Sequence, residues 1–342
     1  MPHRTFFWFV LPSVLAMIVF IALPIASVFM QSLHVAHDRV MVEVENCGPF
    51  GCKKEMQVDA AATEALRRAE PLGQFAGLSI YLNRNHLATG ELAQMWSGAS
   101  SLGAFLSSMF ALPFYKALLF TLAYTFVVTP FVIVLGFAIA LAVNAVPRVL
   151  KGPTIFFSLL PMIITPLIGS LVLFWMIDAN GVIGATIQRL ANDPNLSLKA
   201  SAPLTWIMLM VYGIWHSAPF AFVVFYAGLQ TVPADTLESA MIDGASRWER
   251  IRYVVIPHLA PLATFVGLIQ LMDNFRVFEP VVGFNAEAHA TSLSWIIYND
   301  LKNQGEPLYG SAAATSMLTI FGVALLLSPV LVRTWCDFSR KR

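Results

Sequence analysis

Six long apolar stretches constrain this chain more than any other feature. They run from about Phe6 to Met30, Ala117 to Val146, Ile155 to Ile177, Leu204 to Leu229, Leu262 to Val282 and Ala312 to Val332. Each is long enough to cross about 30 Å of hydrocarbon as a helix of roughly 20 residues. Composition agrees: 57% of the 342 residues are hydrophobic and only 12% carry charge, about half the charged share of a soluble domain (roughly 25%). So few charges could not cover a soluble surface. The expected class is an all-α polytopic membrane protein with six transmembrane helices. A β-barrel is disfavoured, because its strands would be about 10 residues long and alternate in polarity. Prolines inside the stretches (Pro24, Pro130, Pro161, Pro166, Pro219) are compatible with membrane helices, whose neighbours can re-satisfy the freed carbonyls. The first stretch follows a basic tip at Arg4 but is longer than a signal-peptide core, so it reads as a retained helix.

The net charge of +1 gives no bias toward polyanions, so no nucleic-acid partner is expected. Orientation follows from basic residues in the short loops. With the N-terminus inside, the inner loops carry Arg4, Arg148, Lys151, Arg247, Arg250, Arg252, Arg333, Arg340, Lys341 and Arg342. The short outer loops carry Arg189, Lys199 and Lys302. Both termini are therefore expected in the cytoplasm. The chain divides into a tail and first helix (1–30), an outer segment (31–116), helices two to four (117–230), a cytoplasmic loop (231–261), helices five and six (262–333) and a tail (334–342).

The outer segment is too polar for the bilayer. Asp59 to Glu70, closed by Pro71 and Gly73, reads as a short helix with a capping Asp and with Arg67 and Arg68 near its end. Cys47 and Cys52 flank a Gly-Pro turn. Outside the cytoplasm a disulfide is favoured, with reduced thiols as the alternative. A metal site is disfavoured, since no second Cys pair or His accompanies them.

The sequence carries no phosphate-binding loop, no H-E-x-x-H, no G-x-S-x-G and no G-x-G-x-x-G. No catalytic residues and no bound cofactor are expected. Any ATP, with its Mg, must be used by another subunit.

The loop between helices four and five is the most informative stretch. Pro233 suits a first helical position, and a short helix then runs to about Asp243. Gly244 fits a C-terminal cap that needs positive φ. Ser246 with Glu249 has the spacing of a capping box for a second short helix, and Pro257 precedes the next membrane helix. Small residues Ser239, Ala240, Gly244 and Ala245 line the turn, which makes a knob able to fit a groove. From loop physics alone, an amphipathic loop lying on lipid is an equal reading.

This segment resembles the EAA signature of ABC importer permeases: E-A-A, three residues, G, nine residues, I-x-L-P. Here it reads Glu238-Ser239-Ala240, then Gly244, then Val254-x-Ile256-Pro257. Leu229-Gln230-x-Val232-Pro233, Ile242-Asp243-Gly244-Ala245, Phe75-Ala76-Gly77-Leu78-x-x-Tyr81 and the run from Phe114 to Thr125 are similar to the carbohydrate-uptake branch, the maltose and glycerol-phosphate permeases. The resemblance leaves out about 31–74 and 83–112. It implies a type I importer permease fold with an extended periplasmic segment after helix one, in a bacterial inner membrane. It further implies one half of a translocation pathway for a sugar or polyol. The partners implied are a second permease subunit, two nucleotide-binding ATPase subunits and a periplasmic solute-binding protein. Glu238, Ser239, Ala240, Asp243, Gly244, Ala245, Ile256 and Pro257 would couple to the ATPase.

Polar residues inside membrane helices are functional candidates by default. On helix five, Gln270, Asp273 and Asn274 fall at i, i+3 and i+4 and share a face. Equally, Asp273 or Glu279 could pair with Arg276. Helix four offers Tyr212, Trp215, His216, Ser217 and Phe220. Counting from the motif, the resemblance places sugar-contacting positions at His216, Ser217, Phe220, Gln270 and Asn274. Alternatives in other classes are a permease for glycerol-phosphate or a polyamine, a secondary transporter driven by Asp273, and a membrane enzyme with Asp273 and His216 as acid and base.

Overall fold

The computed structural model describes residues 3–48, 51–193, 195–303 and 308–340. It divides into two compact units: one holds the chain up to Tyr115 together with Ile296–Leu326, the other Lys116–Trp295 together with Leu327 onward.

In the first unit, helix α1 (Phe6–Gln31) is apolar on every side and buries none of its residues. A π-helical turn at Ile18–Ala22 precedes Pro24, and Leu23 N–H reaches back to Ile18 O. Widening the helix by one residue there accommodates a ring that would otherwise clash one turn back. Strands β1 (His34–Val35) and β4 (Gln74–Phe75) pair antiparallel, His34 opposite Phe75. Everything between them leaves and returns at one point. That excursion holds an antiparallel hairpin, β2 (Met41–Gly48) and β3 (Gly51–Val58), and helix α2 (Ala60–Ala69). Asp59 caps α2 as expected, accepting from Ala62 N–H at 2.9 Å, and Arg67 and Arg68 lie in its last turn. The hairpin departs from the all-α expectation. Its backbone register sets Cys47 opposite Cys52, but the two thiols lie outside the described residues. Short helices α3 (Ser79–Leu82), α4 (Thr89–Gly98) and α5 (Leu102–Met109) complete the polar segment.

The second unit contains most of α6 (Pro113–Ala145), then α7 (Arg148–Ile163), α8 (Pro166–Met176), α9 (Val182–Ala191), α10 (Ala202–Leu229), α11 (Ala234–Ile242), a continuous helical run α12 (Arg247–Phe275) and α13 (Glu279–Gly283). The remaining helices are α14 (Leu293–Lys302) and α15 (Tyr309–Arg340). Phe120, Val128, Leu209, Phe222, Phe225, Val266 and Phe284 form the buried core of this unit. Helices α6 and α10 cross closely: a Cβ on Gly136 would meet Ala221 Cβ at 2.5 Å. Phe126, Phe131 and Val134 face outward, as lipid-facing residues do.

Two of the apolar stretches are not single straight spans. The third is broken: α7 and α8 meet at a 92° bend. Ile164 and Thr165 are extended there; Thr165 avoids the helical region because it precedes a proline, and Pro166 then opens α8. Among the described residues there are five single helices able to cross a membrane, or six spans if the bent pair counts as one. The fifth stretch starts earlier and stops sooner than its apolar residues imply. Its helix begins at Arg247 and ends at Phe275, and residues 276–278 break before α13.

Candidate functional site

The 234–257 segment forms an exposed elbow. Pro233 is the N-cap rather than the first helical residue of α11. The helix ends in a turn in which Ala245 N–H bonds Ala240 O at 2.9 Å, and Gly244 has φ of +81°. That conformation costs a side-chain-bearing residue about 1–2 kcal/mol, which accounts for the glycine. Ser246 and Glu249 make the reciprocal capping box: Ser246 N–H donates to Glu249 Oε2 at 2.7 Å and Glu249 N–H to Ser246 Oγ at 3.3 Å.

The helix capped there does not stop after one turn. It runs through a π-helical turn at Ile251–Val255, where Ile256 N–H bonds Ile251 O, and continues past Pro257 to Phe275. Pro257 therefore lies within the run instead of before it. The same device serves Pro24 and Pro257, a widened turn just before the ring. Glu238, Ser239, Asp243, Gly244, Ile256 and Pro257 are exposed, and Ala240 and Ala245 are half-buried. Thr231 and His258 are joined at 3.1 Å, which ties the end of α10 to α12 at the base of the elbow. Ile242 and Trp248, exposed by 87% and 65%, flank the glycine. Ile242 belongs to the run that resembles the carbohydrate-uptake branch, and Trp248 does not; two large apolar side chains in a polar loop are the signal the sequence carries here.

The opposite end of α12 borders a cavity of about 580 Å³. It opens where two helices are interrupted, between α7 and α8 and again after α12. His216 and Tyr212, one turn apart on α10, hold the first interruption: His216 Nε2 meets Ile164 O at 3.0 Å, and Tyr212 Oη donates to Pro166 O at 2.9 Å. Ser217 also lines the cavity. On the other wall the Asp273 carboxylate accepts from Arg276 at 2.8 Å, and Glu279, the first residue of α13, faces the same space. Small residues let α13 seat on α8: Ser170 Oγ donates to Leu167 O at 2.9 Å and lies against Gly283.

His216, Ser217, Asp273 and Asn274 are thus brought together. The Asn274 amide is already engaged, donating to Thr129 Oγ1 at 3.0 Å in a buried bond. Phe220 and Gln270 do not line the cavity. Phe220 packs half-buried against the core, and Gln270 is buried within the bundle. Tyr124 and Ser294 line it and were not singled out as pathway residues. Tyr124 reaches it because Gly213 on α10 leaves room for its hydroxyl. Among the described residues no cluster of His, Cys, Asp and Glu fits a metal ion.

An exposed elbow and a polar cavity within one helical bundle now stand beside the sequence match. Residues 99–335 match the family of binding-protein-dependent transport system inner membrane components. The chain belongs to that family. Its EAA-type segment is typical of such components. The chain is similar to the trehalose transport system permease protein SugA of Mycobacterium tuberculosis, 28% identical over 271 residues, 78% of this chain and 82% of that one. It is 31% identical to the trehalose/maltose transport system permease protein MalF of Thermococcus litoralis over 135 residues, 36% of this chain and 45% of that relative. It is 31% identical to the sn-glycerol-3-phosphate transport system permease protein UgpA of Brucella suis over 175 residues, 48% of this chain and 58% of that one. This inner membrane component also shares its fold with a chain in the crystal structure of a bacterial ABC transporter that imports the acidic polysaccharide alginate. The TM-score is 0.56 at 22% identity, covering 81% of this chain and 95% of that one.

Proposed function

We propose that this permease forms half of the translocation pathway of an ATP-driven importer for a sugar or polyol. A second permease subunit supplies the other half. Two ATPase subunits bind ATP and Mg and receive the elbow, and a periplasmic binding protein delivers the solute. In this reading the elbow and both termini lie in the cytoplasm, and residues 31–116 lie outside.

One observation carries the reading. A single helical run, Arg247–Phe275, begins at the elbow and ends at the cavity. Its 29 residues span about 43 Å. Displacement of the elbow by a closing ATPase is therefore transmitted to Asp273 without crossing a flexible joint. Transport requires two global states and a contact that differs between them. The elbow supplies the contact, and the two helix interruptions at the cavity supply places to change. Hydroxyls suit the cavity's Ser217, His216 and Tyr212, and the tyrosine rings offer faces for sugar carbons. The names of SugA and MalF point the same way. Glycerol-phosphate is the second reading, favoured by similarity to UgpA.

Purification of the tagged chain in mild detergent tests the assembly. An ATPase and a second permease should co-purify in fixed ratio. A chain that purifies without any nucleotide-hydrolysing partner, with uptake of sugars unchanged when Ser217 is replaced by Leu, contradicts the reading.

A further inference from the structure

The proposal concerns which solutes the cavity admits, and it rests on the pathway reading above. Besides the phenols of Tyr124 and Tyr212, four ionisable side chains border the 580 Å³ space: His216, Asp273, Arg276 and Glu279. Arg276 is the one guanidinium among them, and its charge is paired. Asp273, three residues earlier on the same helical end, holds it at 2.8 Å. Glu279 has no ion-pair partner among the described residues and faces the same space. His216 is turned to the Ile164 carbonyl and acts as a donor there. The Asp273–Arg276 pair is thus neutral as a whole, and the Glu279 carboxylate leaves the space one negative charge in excess. Charges in a cleft with low-dielectric walls act more strongly than in water.

We propose that the Asp273–Arg276 pair and the Glu279 carboxylate make this cavity selective against anionic solutes, so that it passes neutral polyhydroxyl compounds. An entering phosphate or uronate would meet Glu279 and would have to compete with Asp273 for Arg276. A neutral sugar meets hydroxyl, imidazole and carboxylate groups that bond its hydroxyls without net charge. The inference separates the solutes named for the relatives: it sides with a neutral disaccharide against glycerol-phosphate and acidic polysaccharide. It assigns Asp273 to specificity through its hold on Arg276.

The test is equilibrium binding of radiolabelled trehalose, maltose and trehalose 6-phosphate to the complete importer in lipid nanodiscs, without the binding protein. Wild type, Asp273→Asn, Glu279→Gln, the double variant and Ser217→Leu are compared. The quantity read is the affinity for trehalose 6-phosphate relative to trehalose. In wild type it should lie well below one. It should rise by about tenfold in either single charge variant, and further in the double variant, whatever happens to absolute affinity. A wild type that binds the phosphate as well as the neutral sugars, or a ratio that does not move in the double variant, overturns the proposal while leaving the pathway reading standing, provided Ser217→Leu weakens sugar binding. Sugar binding indifferent to Ser217→Leu, or no binding of any of the three sugars, overturns both.

Discussion

The Asn274 side-chain amide donates to Thr129 Oγ1 at 3.0 Å, and both residues are buried. This bond joins α12 to α6 beside the cavity. Hydrogen bonds between membrane helices contribute on average about 0.6 kcal/mol, and up to about 1.7 kcal/mol. A double-mutant cycle with Asn274→Leu and Thr129→Val should return a coupling of about 0.5–1.5 kcal/mol in unfolding of the detergent-solubilised permease. Strictly additive effects would show that the bond contributes nothing to holding α12.

Gly244 has open space around its α-carbon, with nothing within 4 Å of an added Cβ. A substitution there is strained by its φ of +81° and not by a clash. Gly244→Ala should therefore cost the turn about 1 kcal/mol, and Gly244→Asn less, since Asn tolerates the left-handed region. The folded permease should persist in both. Uptake per ATP hydrolysed should fall in the order Gly, Asn, Ala from φ alone, and furthest in Asp, which also brings a charge into the proposed ATPase contact. Equal coupling for Gly and Asp would separate the turn from coupling.

Ile242 and Trp248 stand exposed on either side of that glycine. In the proposed assembly they anchor the elbow in the ATPase groove. Replacing both with Ser should lower co-purification of the ATPase at least tenfold, about 1.4 kcal/mol, without changing the Tm of the permease alone. Unchanged recovery of the ATPase would place the contact elsewhere.

Beyond the end of α8, Asp178 accepts from Lys199 Nζ at 2.6 Å and from Asn180 N–H at 3.3 Å. The Lys199 hydrogen bond, then the Asn180 N–H, hold the Asp178 carboxyl below the ordinary carboxylate range. A depressed folded-state value means that the contribution is present at neutral pH and is lost as pH falls below the ordinary carboxylate range, through the lowered folded value. Hydrogen exchange at Gly181, whose N–H bonds Asp178 O, should therefore accelerate only under strongly acid conditions. Lys199→Met should move that acceleration to higher pH. The same profile in the variant would contradict the pairing.

Much of this fold was written in the apolar stretches, because hydrocarbon thickness fixes helix length directly. The α7–α8 bend was signalled by Pro161 and Pro166, but run length alone averages over a break of two residues. The β2–β3 hairpin went unread although Val42-Glu43-Val44-Glu45 alternates with period two; a short alternation beside a Cys pair gave no pairing partner. Polarity within an apolar helix singled out Asp273, Ser217 and His216, which border the cavity, and Gln270, which does not, because position on a helix face becomes position in a cavity only once the helix ends are known. The run stops at Phe275, and that places Asp273 at the opening while Gln270, about one turn earlier, stays among the packed helices.

The central claim is that the elbow and the cavity are joined by one stiff helix. Replacing the exposed Arg252 and Tyr253 by Gly, within the π-helical turn, softens that helix while keeping its register and both its ends. The deciding measurement is solute uptake per ATP hydrolysed by the reconstituted importer carrying this double substitution. Hydrolysis that continues while uptake falls to background is the predicted result; uptake per ATP equal to that of the unmodified importer would contradict the account.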